Sequence, residues 1–149
     1  MKELPQEIKG VFPWEGNQLS VDGGKMHYVD VGPQGGSTIL AVHGNPTWSF
    51  YWRNLIKAFC SKHRVVAPDH IGCGRSEKPQ EWGYTLDQHI SNLCKLVDSL
   101  QLDDITLVVH DWGGAIGMGL ASRRPDLISR IVITNTAAFR SNEIPLSIA

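Results

Sequence analysis

Apolar positions along this chain keep two periods, and the switches between them mark out its elements. Leu19 and Val21, then Met26, Tyr28 and Val31, flank Asp22-Gly23-Gly24. The pattern predicts two strands joined by a tight turn, a hairpin at the edge of a sheet. Thr38-Ile39-Leu40-Ala41-Val42 is a short unbroken apolar run, the mark of a strand covered on both faces. The spacing then becomes helical. Trp48, Trp52, Leu55 and Phe59 fall on one side of a helix expected over residues 50–61. Arg64-Val65-Val66-Ala67 reads as the next strand, and residues 69–79 as a glycine-rich loop. Thr85-Leu86-Asp87-Gln88 is a capping box, in which a hydroxyl and an amide each satisfy an orphan backbone N–H. The helix it opens carries Leu86, Ile90, Leu93, Val97 and Leu100 on one stripe. A strand over 105–109, a small-residue helix ending before Pro125 and a last strand over 128–134 follow. Residues 1–16, with Pro5, Pro13 and Gly16, read as an irregular lead-in, and 33–36 as a loop.

A hairpin followed by alternating helices and strands predicts an α/β fold. Its sheet is mostly parallel, has about six strands and is covered by helices on both faces. Right-handed crossovers bring the C-terminal strand ends to one edge, where functional loops gather. The polar turns after Val42, Ala67 and Val109 all leave such ends. Glycine lowers helix propensity at Gly113, Gly114, Gly117 and Gly119, and the expected return is close approach of helix to sheet.

Composition narrows the function classes. The chain has 149 residues, enough for one domain, and is 42% hydrophobic and 19% charged, as a globular protein is. A net charge of −1 with no basic block argues against nucleic-acid binding. Cys60, Cys73 and Cys94 match no zinc or disulfide spacing. They read as reduced thiols in a cytoplasmic protein. The charged first ten residues have no apolar core of a signal peptide, and no run approaches the roughly 18–20 residues of a membrane span. Gly72-x-Gly74 and Gly114-x-x-Gly117 do not complete a dinucleotide fingerprint, so no cofactor is expected, and no metal.

The chemistry centres on Asp111. Ile105, Leu107, Val108 and Val109 lead to His110-Asp111-Trp112-Gly113-Gly114, the layout of a nucleophile elbow that lifts one side chain above the sheet. Serine usually stands there. A carboxylate instead suits displacement at a saturated carbon, because it forms an alkyl ester that water can cleave. The loop His43-Gly44-Asn45-Pro46-Thr47-Trp48 can supply one backbone N–H opposite the elbow, and Trp112 the other, as an oxyanion hole. The Asn45 amide and the Trp112 indole add donors for a leaving anion. The plain alternatives are an N-cap for Asp111 and a turn residue before proline for Asn45. Trp48 is a pocket-lining candidate and Trp52 a core residue. Trp14 and Trp82 have no assignable role.

His43-Gly44-Asn45-Pro46, Asp69-His70-Ile71-Gly72-Cys73-Gly74-Arg75-Ser76 and His110-Asp111-Trp112-Gly113-Gly114 together resemble the haloalkane dehalogenase group of α/β-hydrolases. The resemblance runs from about Leu19 to Phe139. Residues 135–139, with the Ile71-Gly72-Cys73-Gly74 loop, look most like the β-lactone decarboxylase branch, which makes olefins in hydrocarbon biosynthesis. It implies Asp111 as nucleophile, Asn45 and Trp112 gripping the halide or its equivalent, and a small apolar organic substrate. It also implies partner enzymes of a hydrocarbon-biosynthesis assembly. Epoxide hydrolases are relatives that usually carry an aromatic residue where Asn45 stands. A non-catalytic remnant that binds a partner is the alternative from another class.

His43 and His110 tempt as general bases, but each precedes a key turn residue and is expected to point into or beneath the sheet edge. His70 reads as lining or bracing the cleft, and Asp69 as a loop-bracing acceptor rather than a triad acid. In these hydrolases the base comes last in the chain, after the acid. Residues 134–137 carry no carboxylate. The expectation is therefore a lead-in over 1–16 and, over 17–149, the N-terminal part of one α/β-hydrolase domain. The chain would stop before the cap, with triad acid and histidine absent and no turnover of its own. The strand over 129–134 is then expected to be an unpaired, apolar edge.

Overall fold

A computed structural model describes residues 4–136. Six strands are joined in the order β1-β2-β4-β3-β5-β6. They are β1 (Asn17–Val21), β2 (Gly24–Val31), β3 (Thr38–Val42), β4 (Arg64–Pro68), β5 (Ile105–His110) and β6 (Ile128–Thr134). The hairpin β1–β2 is antiparallel and β2 meets β4 antiparallel, whereas β4, β3, β5 and β6 run parallel. Four helices are α1 (Gln6–Lys9), α2 (Arg53–Phe59), α3 (Leu86–Ser99) and α4 (Trp112–Arg123).

The strand period of two divides the core into two layers. Leu40, Val42, Val66, Leu107 and Val109 face Leu93, Leu96, Val97, Ile116 and Leu120 of α3 and α4. Their neighbours Ile39, Ala41, Val65, Ala67 and Val108 face the other way, onto Trp52, Ile56 and Phe12. β3 is buried along its whole length, as its apolar run predicts. The capping box forms, with Gln88 N–H donating to Thr85 Oγ1 at 3.3 Å and Thr85 N–H to Gln88 Oε1 at 3.0 Å. A Cβ added at Gly113 would lie 2.3 Å from the Val42 carbonyl oxygen, so the glycine-rich start of α4 does permit close approach to the sheet.

Three local expectations need correction. The lead-in is not wholly irregular: it contains α1, and Phe12 is buried between Trp14, Trp48 and Phe50. The helix after β3 begins as a 3-10 turn over Ser49–Trp52, and its buried side runs through Trp52 and Ile56, while Phe59 is exposed. The 3-10 turn rotates the later residues away from the phase that a single α-helix would give. Leu86 begins the apolar stripe of α3 but stays exposed. β6 lies at the end of the sheet, with Ile131, Val132 and Ile133 exposed, as expected of an apolar edge. No helix among the described residues is long and apolar enough to cross a membrane. The motif residues 137–139 lie outside the described residues.

Candidate active site

Three parallel strands end side by side, and their turns converge. Asp111 follows β5 with φ 52° and ψ −130°. This is a sparsely populated conformation for a residue with a Cβ, at a cost of roughly 1–3 kcal/mol. The turn is fixed by Gly114 N–H donating to Asp111 O at 2.9 Å, and by the Thr136 hydroxyl donating to the same oxygen. Asp111 occupies the N-cap position of α4, yet its side chain makes no capping bond to the first turn. Its Oδ1 instead accepts the Asn45 backbone N–H from the neighbouring loop at 2.8 Å. The bonds from the Trp112 and Asn45 backbone N–H groups hold the carboxyl below the usual carboxylate range, against a smaller opposing effect of burial. Asp111 thus stands at the N-cap position while its Oδ1 is also committed to the neighbouring loop.

Gly44 makes this juxtaposition sterically feasible. A Cβ there would stand 2.3 Å from the Asp111 Cβ. The Asn45 side chain is exposed, and its amide has no hydrogen-bond partner among the described residues. Trp112 is 56% exposed. Both line a cleft of about 340 Å³, whose floor includes Ile71 and Ile116 and whose outer wall includes Tyr84 and Leu86. A shallower hollow of about 270 Å³, bordered by Asp111, Trp112, Ala115, Asn135 and Thr136, adjoins it at Trp112. Trp48 does not line the cleft. Its ring stacks on Phe50 at 5.5 Å and packs against Phe12, in the opposite layer of the core.

The turn after β4 is built differently. Asp69 is fully buried, and its carboxylate accepts Ser49 N–H at 2.7 Å, Arg75 N–H at 2.8 Å and His27 Nδ1–H at 3.0 Å. Burial alone would raise its pKa, but His27 and the backbone donors outweigh this and hold it low. Ser76 closes the network, donating to Asp69 O at 2.6 Å and accepting His27 N–H at 2.7 Å. Asp69 thus braces the loop. Sequence reasoning missed its partner His27, which lies 42 residues away.

All six histidines of the sequence lie in described residues, and none hydrogen-bonds Asp111. Buried His43 donates from Nδ1 to Gly44 O at 2.7 Å and accepts His70 N–H on Nε2 at 3.0 Å, which fixes a neutral tautomer. His70 returns a bond to His43 O at 3.2 Å, so the pair ties the turn after β3 to the turn after β4. Burial lowers the pKa of both, that of His70 further. His110 lies on the Tyr51 ring at 4.5 Å. His89 stands edge-on to Trp82 at 5.0 Å, and Trp82 itself donates to Asp22 at 2.9 Å, which gives that tryptophan a bracing role. His63 bonds Ser37 at 3.3 Å. Among the described residues no group of three or more His, Cys, Asp or Glu side chains could hold a metal.

The alpha/beta hydrolase fold family matches residues 37–148. A cis-3-alkyl-4-alkyloxetan-2-one decarboxylase from Shewanella oneidensis is 49% identical over 144 residues, covering 93% of this chain and 45% of the relative. Haloalkane dehalogenase 2 from Mycobacterium tuberculosis is 42% identical over 126 residues, covering 85% of this chain and 43% of the relative. The tetrameric haloalkane dehalogenase DpaA from Paraglaciecola agarilytica superposes with a TM-score of 0.85 at 34% identity, covering 99% of this chain and 53% of that one. Epoxide hydrolases also stand among the structural neighbours. The chain spans less than half the length of the curated relatives it matches.

Proposed function

The chain belongs to the alpha/beta hydrolase fold family, and from that premise we propose that Asp111 is the nucleophile of a covalent reaction at a saturated carbon. The observation that carries the proposal is the 2.8 Å bond from Asn45 N–H to Asp111 Oδ1, accepted by a residue held at φ 52°. In an ester formed on Asp111, the acyl carbon belongs to the enzyme. When that ester is hydrolysed, negative charge develops on the aspartate's own oxygen. Donors aimed at Oδ1 are therefore the oxyanion hole for such chemistry, whereas in a serine enzyme they would face the substrate. Asn45 and Trp112 supply side-chain N–H groups for the leaving anion.

For the whole protein we infer β-lactone decarboxylation, by analogy with the decarboxylase relative. Asp111 attacks the ring carbon that bears oxygen, on the side opposite that oxygen. The carbon–oxygen bond breaks and a free β-carboxylate forms. Loss of carbon dioxide then sends its electron pair into a new carbon–carbon double bond and expels Asp111 as carboxylate. Atoms balance without water, and backside attack leaves the departing carboxylate opposite the Asp111 oxygen, so a cis ring gives a cis alkene. The partners would be enzymes that supply the lactone. Haloalkane dehalogenation is the second reading, favoured by the paired Asn45 and Trp112 donors. It needs a general base to activate water, typically worth about 10²–10⁴-fold, and none of the described histidines reaches Asp111.

The two readings separate by assay on residues 1–149. With 1,2-dibromoethane we expect at most one equivalent of bromide, because the ester persists. With a cis-3,4-dialkyl β-lactone the whole protein is expected to give carbon dioxide and cis-alkene, lost in Asp111→Ala, whereas residues 1–149 alone are expected to show no turnover. Sustained bromide release abolished by Asp111→Ala would overturn the first expectation and restore one of the local histidines as base. Absence of any product and of any Asp111 adduct would favour a non-catalytic binding module. Epoxide opening without either of the other reactions would show that Asn45 is misread.

A further inference from the structure

We propose that Thr136 is a positioning residue: its hydroxyl, on the carbonyl side of the peptide joining Asp111 to Trp112, aims the Trp112 N–H at the Asp111 carboxylate. The proposal rests on the reading of Asp111 as nucleophile and of that N–H as part of its oxyanion hole. The carbonyl of Asp111 and the N–H of Trp112 belong to one peptide unit. That unit is trans and planar, so its oxygen and its hydrogen point in opposite directions. Whatever fixes the oxygen therefore fixes the hydrogen. The oxygen accepts the Thr136 hydroxyl and, at 2.9 Å, the Gly114 N–H. On the other side of the peptide, the Trp112 N–H leads the Asn45 N–H in holding the Asp111 carboxyl low, with a lesser contribution from His110. Asp111 stands at φ 52° and ψ −130°, a strained conformation from which its peptide would relax if released.

The turn after β6 supplies the hydroxyl. Asn135 stands at φ 41°, a left-handed conformation that asparagine tolerates better than most residues. The chain thereby leaves the sheet with Asn135 O accepting Asp111 N–H at 3.3 Å and the next side chain, Thr136, reaching Asp111 O. One dipeptide thus holds both backbone polar groups of the nucleophile. Gly114 makes the room, since a Cβ there would stand 2.0 Å from Thr136 Oγ1. The two glycines after Trp112 therefore do different things: Gly113 lets α4 approach the Val42 carbonyl, and Gly114 admits the hydroxyl. Asn135 and Thr136 also border the hollow shared by Asp111 and Trp112. Thr134 serves as a control. Its hydroxyl donates to Val109 O at 2.8 Å, a carbonyl inside β5 rather than at the elbow.

The test compares three variants of residues 1–149. Thr136→Val keeps the shape and removes the hydroxyl, Thr136→Ser keeps the hydroxyl, and Thr134→Val removes the neighbouring one. Each chain is first alkylated on Asp111 with 1,2-dibromoethane, and the ester is then cleaved with hydroxylamine. The amine attacks the ester carbonyl, 2-bromoethanol leaves with a proton from nitrogen, and Asp111 is left as the hydroxamate, read by mass. The intermediate places negative charge on the aspartate's own oxygen, so the rate reports the oxyanion hole directly. Thr136→Val should slow cleavage about three- to tenfold, the rate equivalent of one hydrogen bond. Thr136→Ser should restore the rate, and Thr134→Val should keep it even where it lowers the melting temperature as much. By NMR, the Trp112 backbone amide proton should move upfield in Thr136→Val and stay in place in the other two. Thr136→Ala, which adds no bulk, takes the place of Thr136→Val if that variant does not fold. Equal cleavage rates in Thr136→Val and Thr134→Val, or an unmoved Trp112 amide, would overturn the positioning role and leave Asp111 as nucleophile. A chain in which Asp111 takes no alkyl group would sink the nucleophile, and the Trp112 amide would then decide by itself whether Thr136 aims the peptide.

Discussion

Asp69 and Asp111 are the same side chain at the same kind of place, each just past the C-terminal end of a parallel strand, and each with its pKa lowered. Asp69 is fully buried and accepts three bonds, from His27, Ser49 and Arg75. Asp111 is partly exposed, stands at φ 52° beside a cleft, and accepts from the Asn45 and Trp112 backbone. The first commits both carboxylate oxygens to structure. The second is held in a strained backbone with its carboxylate open to a ligand. A lowered pKa therefore does not distinguish the two aspartates; burial and access to the neighbouring hollow do.

Substitution should break the comparison most visibly at Asp69. Asp69→Ala would leave His27 Nδ1 and the backbone N–H groups of Ser49 and Arg75 unpaired. A loss of about 3–5 kcal/mol is expected in urea unfolding. Gly44→Ala comes next, since its Cβ would meet that of Asp111 at 2.3 Å. It should cost about 1–3 kcal/mol and slow Asp111 alkylation. The pH arm is smaller for each group. His43 and His70 have pKa values lowered from their ordinary 6.5 by burial. Folded chains then bind fewer protons than unfolded ones below pH 6.5. The stability is complete above pH 6.5 and falls as the pH drops through it, by up to about 1.4 kcal/mol per unit for each group. Melting temperatures at pH 7 and 5 check this, and an unchanged value would contradict it. The smallest effect belongs to Asp111→Gly. Relief of positive φ and loss of the Asn45 bond act in opposite directions, so stability should stay within about 1 kcal/mol.

Much of this was legible in the sequence because it is local. The hairpin turn, the buried run of β3, the capping box at Thr85 and the glycines after Asp111 all depend on near neighbours. The site's key contact, Asn45 to Asp111, spans 66 residues. It was reachable because both positions follow strands that the architecture sets side by side. Phe12 and the His27–Asp69 pair left no periodic signal, since their partners come from distant elements. Trp48 shows the same limit: an aromatic residue next to a functional loop can face either layer, and here its half-buried ring packs against Phe12.

The most direct test of the account is where an alkylating substrate leaves its mark. Residues 1–149 are exposed to 1,2-dibromoethane, digested, and mapped by mass spectrometry. The account predicts one bromoethyl ester, on the peptide containing Asp111. The adduct should be lost in Asp111→Asn and retained in Thr134→Val. An adduct on Cys73 with Asp111 untouched, or an undiminished ester in Asp111→Asn, would contradict the claim that Asp111 is the nucleophile.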